Sequence, residues 1–194
     1  MADLLVPVIY GSVRTERQGI KAARFVVREL ASRGVDAVLI DPLEYRFPLL
    51  DYMYKEYPPG TAPAGMEKLA KLLRAADGFA IVSGEYNHGI PPALKNLLDH
   101  YLEEYFWRPA GIICYSSGRF GGVRAAMQLR MSLAEMGMVT IPSLLPFPKV
   151  GSIFDEEGEP VDASTRTDAA SFFDDFLWYA RALRTARDSG GVPR

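Results

Sequence analysis

The chain alternates between two periodicities. Short apolar runs rich in Val and Ile recur at Leu4–Tyr10, Asp36–Ile40, Gly78–Ser83, Ala110–Tyr115 and Val139–Leu145. Every run but the last is followed by apolar residues at helical spacing. Ile20, Ala23, Val27 and Leu30 share one face and stop at Gly34, a suitable residue just past a helix end. Met66, Leu69, Leu72 and Leu73 do the same before Asp77. Leu94, Leu97, Leu98, Tyr101 and Leu102 follow Pro91 and Pro92, which are tolerated in a first helical turn. Val123, Met127, Arg130, Leu133 and Ala134 run to Gly137. A last helix is expected at about Ser164–Arg187, with Phe172, Phe173, Phe176, Leu177, Ala180 and Leu183 inward. Its Arg181, Arg184 and Arg187 stand near the C-terminus, where cations complement the helix dipole. Strands without polar alternation are buried on both faces, and intervening helices form right-handed crossovers between parallel neighbours. The expected class is therefore α/β, a doubly wound sandwich of five such units, with a strand order that periodicity leaves open.

Composition narrows the function. A chain of 194 residues suits one domain, and 48% apolar residues can bury a sizeable core. With 22 Lys and Arg against 24 Asp and Glu, the formal charge is −2, which lacks the basic footprint of a nucleic-acid binder. No apolar run approaches the ~20 residues of a membrane helix. The first residues carry Asp3 and no basic region, so no secretory leader is expected, and the expected location is cytoplasmic. Cys114 has no cysteine to pair with, and with two histidines no soft zinc site is expected. Its apolar strand points to a buried structural thiol. Asp155–Glu159 and Asp174–Asp175 read as solvated acidic faces, since their spacing matches no calcium loop. The methionines, Met127, Met131 and Met136 among them, read as core or interface filler. Two segments are irregular: Pro42–Pro63, long enough to be functional or part of an interface, and Val150–Asp162, read as a solvated turn.

In an open α/β sheet, ligands bind beyond the carboxyl ends of the strands. Three loops there are chemically distinctive. The first runs Gly11-Ser12-Val13-Arg14-Thr15-Glu16-Arg17-Gln18-Gly19-Ile20, leaving a strand and opening a helix. Free N–H groups, the Ser12 hydroxyl and the Arg14 guanidinium suit a phosphate. The alternative is a polar turn in which Ser12 caps and the arginines are solvated. The second loop runs Ser83-Gly84-Glu85-Tyr86-Asn87-His88-Gly89-Ile90-Pro91-Pro92-Ala93-Leu94-Lys95-Asn96. It offers an aromatic wall with backbone donors for a flat heteroaromatic ligand, although His88 alone reads more readily as a surface histidine. The third, Tyr115-Ser116-Ser117-Gly118-Arg119-Phe120-Gly121-Gly122, supplies hydroxyls and outward N–H groups, or is simply a glycine-rich turn.

These three blocks together resemble the NAD(P)H-dependent FMN reductase family, whose members include quinone, azo-dye and chromate reductases. The likeness spans nearly the whole chain, and Glu-Tyr-Asn-His-Gly-Ile-Pro-Pro-Ala-Leu-Lys-Asn is its specific part. It implies one flavodoxin-like, three-layer domain over 1–194, with a five-stranded parallel sheet in the order 2-1-3-4-5. It further implies that Ser12, Arg14 and the turn Arg17, Gln18, Gly19, Ile20 bind the FMN phosphate. Glu85, Tyr86, Asn87 and His88 would line the flavin ring, and Ser116, Ser117, Gly118 and Gly121 would hold its far edge. Gly84, Pro92 and Gln18 depart from the family's usual proline, glycine and serine.

The implied chemistry is hydride transfer from NADPH or NADH to FMN, then to a quinone, azo compound, free flavin or metal oxyanion, in ping-pong order. The flavin carries that chemistry, so no catalytic side chain is expected. A homodimer or homotetramer is implied, with the aromatic stretch Tyr101–Trp107 as the expected interface. Arg108, Arg119 and Arg124 are candidates for a 2′-phosphate site. The competing reading is a flavodoxin-like electron carrier or sensor without nicotinamide turnover.

Overall fold

A computed structural model describes residues 4–192. Five strands, β1 (Leu5–Tyr10), β2 (Asp36–Ile40), β3 (Phe79–Gly84), β4 (Pro109–Tyr115) and β5 (Val139–Phe147), form one sheet in the order β2-β1-β3-β4-β5. All four pairings are parallel. This is the flavodoxin-like order, with the winding reversing between β1 and β3. The helices are α1 (Gly19–Ser32), α2 (Ala64–Ala75), α3 (Pro92–Asp99), α4 (Val123–Glu135) and α5 (Ser164–Gly190).

Strand alternation sorts the core into two halves. Val6, Val8 and Tyr10 of β1 and Ile113 and Tyr115 of β4 pack with α1 and α5. Ile9, Ile81, Ile112 and Cys114 face α2, α3 and α4. The inner strands β3 and β4 are buried throughout, whereas β2 and β5 are edges and partly exposed. Pro142 and Pro146 on β5 remove backbone donors, which discourages pairing along that edge. Asp77, just before β3, accepts from Leu5 N–H and pairs with Arg187 at 3.1 Å, pinning the end of α5 to the amino edge of the sheet.

Three expectations need correction. The helix after β3 ends at Asp99, although the apolar spacing continues to Tyr101 and Leu102. The His100 carbonyl accepts instead from Tyr54 N–H of the 42–63 segment, at 2.8 Å, and Leu102 leaves helical backbone angles. Within the stretch Tyr101–Trp107, Tyr101 and Tyr105 are buried in this chain's own core, so an intermolecular surface does not explain those two, whereas Trp107 is 38% exposed. The acidic segment after β5 is not a free solvated turn. Glu156 pairs with Lys21 at 2.7 Å and Glu159 with Arg28 and Arg166, while Arg24 and Arg28 donate to the carbonyls of Glu156 and Glu157. It is an ionic strap across the outer face of α1. Of the methionines read as core or interface filler, Met136 is core and Met127 and Met131 are exposed on α4. Among the described residues, no helix is long and apolar enough to cross a membrane, and no cluster of His, Cys, Asp or Glu could hold a metal ion.

Candidate active site

The carboxyl ends of β1, β3 and β4 bring the three loops together around a pocket of about 200 Å³. Ser12, Arg14, Arg17, Gln18 and Gly19 line one side. Glu85 and Tyr86 line the second, and Tyr115, Ser116 and Ser117 the third. Glu16, Val150 and Gly151 complete the wall.

The first loop is shaped by close packing beneath it. Gly19 opens α1, and a Cβ there would stand 2.0 Å from Cζ of Tyr115, so only glycine lets the helix start this close to β4. Helix α1 has neither a side-chain cap nor an acidic residue in its first turn. Its positive end is therefore uncompensated. The N–H groups of Thr15 and Glu16 donate to no acceptor among the described residues, and exposed Arg14 makes no ion pair there. Arg17 is different. Its guanidinium binds both oxygens of Asp41, at 2.5 and 2.6 Å, and donates to the Ser12 carbonyl at 3.2 Å. It braces the loop against the end of β2. Ser12 is buried, and its Oγ lies 2.7 Å from the Tyr86 hydroxyl, which ties the first loop to the second.

The second loop contains a two-residue reverse turn. Tyr86 and Gly89 exchange both backbone hydrogen bonds, at 3.0 and 2.9 Å, with Asn87 at φ 50° and His88 at φ 65° between them. Two left-handed residues in succession suit Asn-Gly, so His88 holds an unfavourable conformation. Such strain tends to gather at functional sites. The turn leaves the N–H groups of Asn87 and His88 without main-chain acceptors. Glu85, just before it, points elsewhere. One carboxylate oxygen accepts from Arg124 and Ala125 N–H, at 3.0 and 3.1 Å, capping α4 from outside. Gly122, at the N-cap of α4, has no side chain to do so.

In the third loop, Gly122 at φ 84° leaves no room for a Cβ, which would lie 2.7 Å from the Tyr115 carbonyl oxygen. Ser116 donates from its hydroxyl to the Gly118 carbonyl, and the carbonyls of Ser116 and Gly118 accept from Val150 and Lys149 after β5. Gly121, at φ 61°, packs against Pro146 and Pro148. Beneath the pocket, the Tyr115 hydroxyl donates to that of Tyr10 at 3.3 Å. Burial pushes the pKa of both phenols up, so they stay protonated and are poor proton donors.

A profile of NADPH-dependent FMN reductases matches residues 4–151, which include all three loops. The chain belongs to the NADPH-dependent FMN reductase family. The NAD(P)H-dependent FMN reductase ntnL of a Nectria species is 33% identical over 77% of this chain and 78% of its own length. A quinone reductase of Pseudomonas putida is 27% identical over 92% of this chain and 96% of its own. Among solved structures, the flavoenzyme NAD(P)H:(acceptor) oxidoreductase FerB of Paracoccus denitrificans superposes with a TM-score of 0.74 at 20% identity, covering 93% of this chain and 98% of that one. A flavodoxin from Pseudomonas aeruginosa gives 0.57 at 17%, covering 93% and 99%, which speaks for the fold.

As a member of the FMN reductase family, the chain is an oxidoreductase of a class that works with FMN and NAD(P)H. The donor set of its pocket fits an anionic flavin nucleotide: an uncompensated helix N-terminus and unpaired Arg14 on one side, with the free N–H groups of a tight turn just outside the lining on another. Of the residues singled out in the sequence, Ser12, Arg14, Arg17, Gln18, Gly19, Glu85, Tyr86, Ser116 and Ser117 line the pocket directly. Ile20, Asn87, His88, Gly118 and Gly121 lie in the same loops but outside its lining. Sequence reasoning gave no role to Asp41, Glu16, Val150 and Gly151, and took Tyr115 only as the start of the third loop. For Asp41 a signal existed, an acidic residue at the end of the β2 run able to partner a loop with two arginines; the others carry no local signal.

Proposed function

We propose that the chain holds FMN at this pocket and uses it to pass electrons from NADPH or NADH to a second small acceptor. The uncompensated N-terminus of α1 beside unpaired Arg14 carries the reading, because it is a ready anion site at the winding reversal of this sheet. Arg14, the Ser12 hydroxyl and the N–H groups of Thr15 and Glu16 bind the phosphate. Arg17 and Gln18 shape that turn, Arg17 through Asp41, and Gly19 and Ile20 open the helix behind it. The N–H groups of Asn87 and His88 donate to the polar edge of the ring, and Tyr86 walls it. Ser116, Ser117, Gly118 and Gly121 form the far edge. Glu85 keeps the second and third loops in register.

FMN held there would supply the hydride and electron chemistry that links a nicotinamide to a quinone, azo compound, free flavin or metal oxyanion. The chain's own part is to position and to exclude. Fixed backbone donors stabilise developing negative charge on the ring without reorganising, and the neutral phenols of Tyr10 and Tyr115 keep the floor dry. One site serves both substrates in turn, so the order is ping-pong. Assembly as a dimer or tetramer belongs to the same reading, with exposed Leu49, Tyr52, Met127 and Met131 as its apolar surface.

The test is an anaerobic visible spectrum of protein reconstituted with FMN and desalted, before and after NADPH, with sizing and light scattering on the same sample. Retained flavin absorbance that bleaches promptly is expected, from a species larger than one chain. Retained absorbance that neither NADPH nor NADH bleaches identifies an electron carrier. No retained flavin overturns the reading.

A further inference from the structure

Two arginines just outside the pocket lining, Arg119 of the third loop and Arg124 at the start of α4, have side chains with no part in the arrangement above. Arg119 and Arg124 both lie against Phe120, their guanidinium carbons 4.6 and 4.3 Å from its ring centroid. Phe120 is 46% exposed, so one half-open ring gathers two positive charges at the mouth of the third loop. The ring's electron-rich face favours each cation, but the two cations repel one another. Exposed Arg119 has no hydrogen bond or ion pair among the described residues. Arg124 has one acidic neighbour, Glu85, at 3.7 Å, which is beyond hydrogen-bond length. The Arg119 fork is therefore open to solvent and that of Arg124 is held only by this one long ion pair, next to a pocket in which Arg14 is likewise unpaired and Arg17 is engaged by Asp41.

Arg119, with no carboxylate paired to it, and Arg124, with only Glu85 at 3.7 Å, carry planar donor forks of the kind that pair with the oxygens of a phosphomonoester. Arg108, the third arginine suggested by the sequence, is excluded. It donates to the carbonyls of Ala76, Phe106 and Arg74 at the amino end of β4. That is a seven-residue strand away from the pocket, or about 20 Å.

We infer that Arg119 and Arg124, held on Phe120, bind the 2′-phosphate of NADPH and set the donor preference for NADPH over NADH. The inference rests on the oxidoreductase reading above. Gly121 and Gly122, which stand between the two arginines in sequence, take left-handed backbone at φ 61° and 84°, so the chain turns between Phe120 and the start of α4.

The test has an equilibrium arm and a kinetic arm, both on FMN-loaded protein. Calorimetric titration with adenosine 2′,5′-bisphosphate and with 5′-AMP isolates the 2′-phosphate from the rest of the nucleotide. Arg119→Ala is expected to weaken the bisphosphate about 10-fold, as loss of one charge-assisted phosphate contact should, and to move 5′-AMP far less. Arg119→Lys restores part of the loss. In steady state, Arg119→Ala raises KM for NADPH by a similar factor with little change in kcat, so the NADPH-to-NADH ratio of kcat/KM falls. Arg124→Ala repeats the pattern with an added effect on the loop that Glu85 supports. Equal shifts for the bisphosphate and 5′-AMP, or none for either, overturn the inference. If neither nicotinamide reduces the flavin, the functional reading fails, while the titration still decides whether these arginines recognise a 2′-phosphate.

Discussion

The inner wall of the pocket and its outer rim use the same residue types to opposite ends. On the inner wall, polar side chains are engaged with one another: Arg17 with Asp41, Ser12 with Tyr86, Glu85 with the N-terminus of α4. On the rim, Arg14 and Arg119 stand exposed without a hydrogen bond or ion pair among the described residues, and Arg124 has only the 3.7 Å ion pair with Glu85. Burial explains the difference. A charge or hydroxyl removed from water must find a protein partner, whereas an exposed guanidinium keeps its hydration until a ligand replaces it. The inner groups therefore fix loop geometry, with the Ser12 hydroxyl also turned to the phosphate, and the rest of binding falls to backbone donors and to rim cations. Replacing an inner group should damage stability and flavin retention together, while replacing a rim group should alter affinity in a fold that stays intact.

Asp41 gives the largest expected effect. Its side chain is 10% exposed and that of Arg17 18%. Asp41→Ala leaves a mostly buried guanidinium unpaired, at a cost of about 3 kcal/mol, and also frees Leu43 N–H, which donates to the same carboxylate. Urea unfolding should show a lower midpoint at unchanged slope, and the desalted protein should lose FMN. Arg14→Ala, by contrast, should weaken FMN with an unmoved urea midpoint. If the two variants behave alike, the division between wall and rim fails.

Glu85 sharpens the comparison, since it sits in the ring-facing loop yet serves a helix. Glu85→Ala removes two charge-assisted bonds to backbone N–H groups and should cost about 2 kcal/mol. Glu85→Gln keeps a neutral acceptor and should recover about half. The loss should be measured by thermal unfolding of protein without flavin, where a residue acting only through ring contact would leave Tm unchanged.

Much of this fold was legible in the sequence, and less of the site. The five apolar runs fall within a residue or two of the strands, because buried parallel strands carry a dense local signal. Their order came only from family resemblance, since nothing in a strand's own residues names its neighbour. The three loops were found because glycine, serine and arginine at strand ends are visible locally. Which polar groups pair was not. Arg17 meets Asp41 across β2, and Glu85 caps a helix about forty residues on; such partners are neighbours only after the sheet has formed. The end of α3 was hidden for the same reason, because the Tyr54 N–H that takes the His100 carbonyl comes from a distant segment. The ionic strap from Glu156 and Glu159 to α1 read as solvent-facing because charge density alone does not say what lies opposite.

Cys114 supplies the smallest expected effect and tests the dry side of the wall. The thiol is buried on β4, and burial, with the nearby Glu85 charge second, pushes its pKa up to about 12 from 9.0. The folded state therefore holds the proton more tightly than the unfolded state. That contribution to stability is complete below pH 9 and is lost as pH rises from 9 towards 12. At pH 10, wild type should lose about 1.4 kcal/mol relative to pH 7 through this group. Buried phenols add losses of the same sign in both proteins, so the thiol's share is the difference between wild type and Cys114→Ala in paired urea titrations at the two pH values. A thiol-specific reagent should leave Cys114 untouched in the folded protein at pH 8. An equal pH response in the two proteins would mean that water reaches β4 behind Glu85, and that the inner wall is not sealed where its carboxylate turns towards α4.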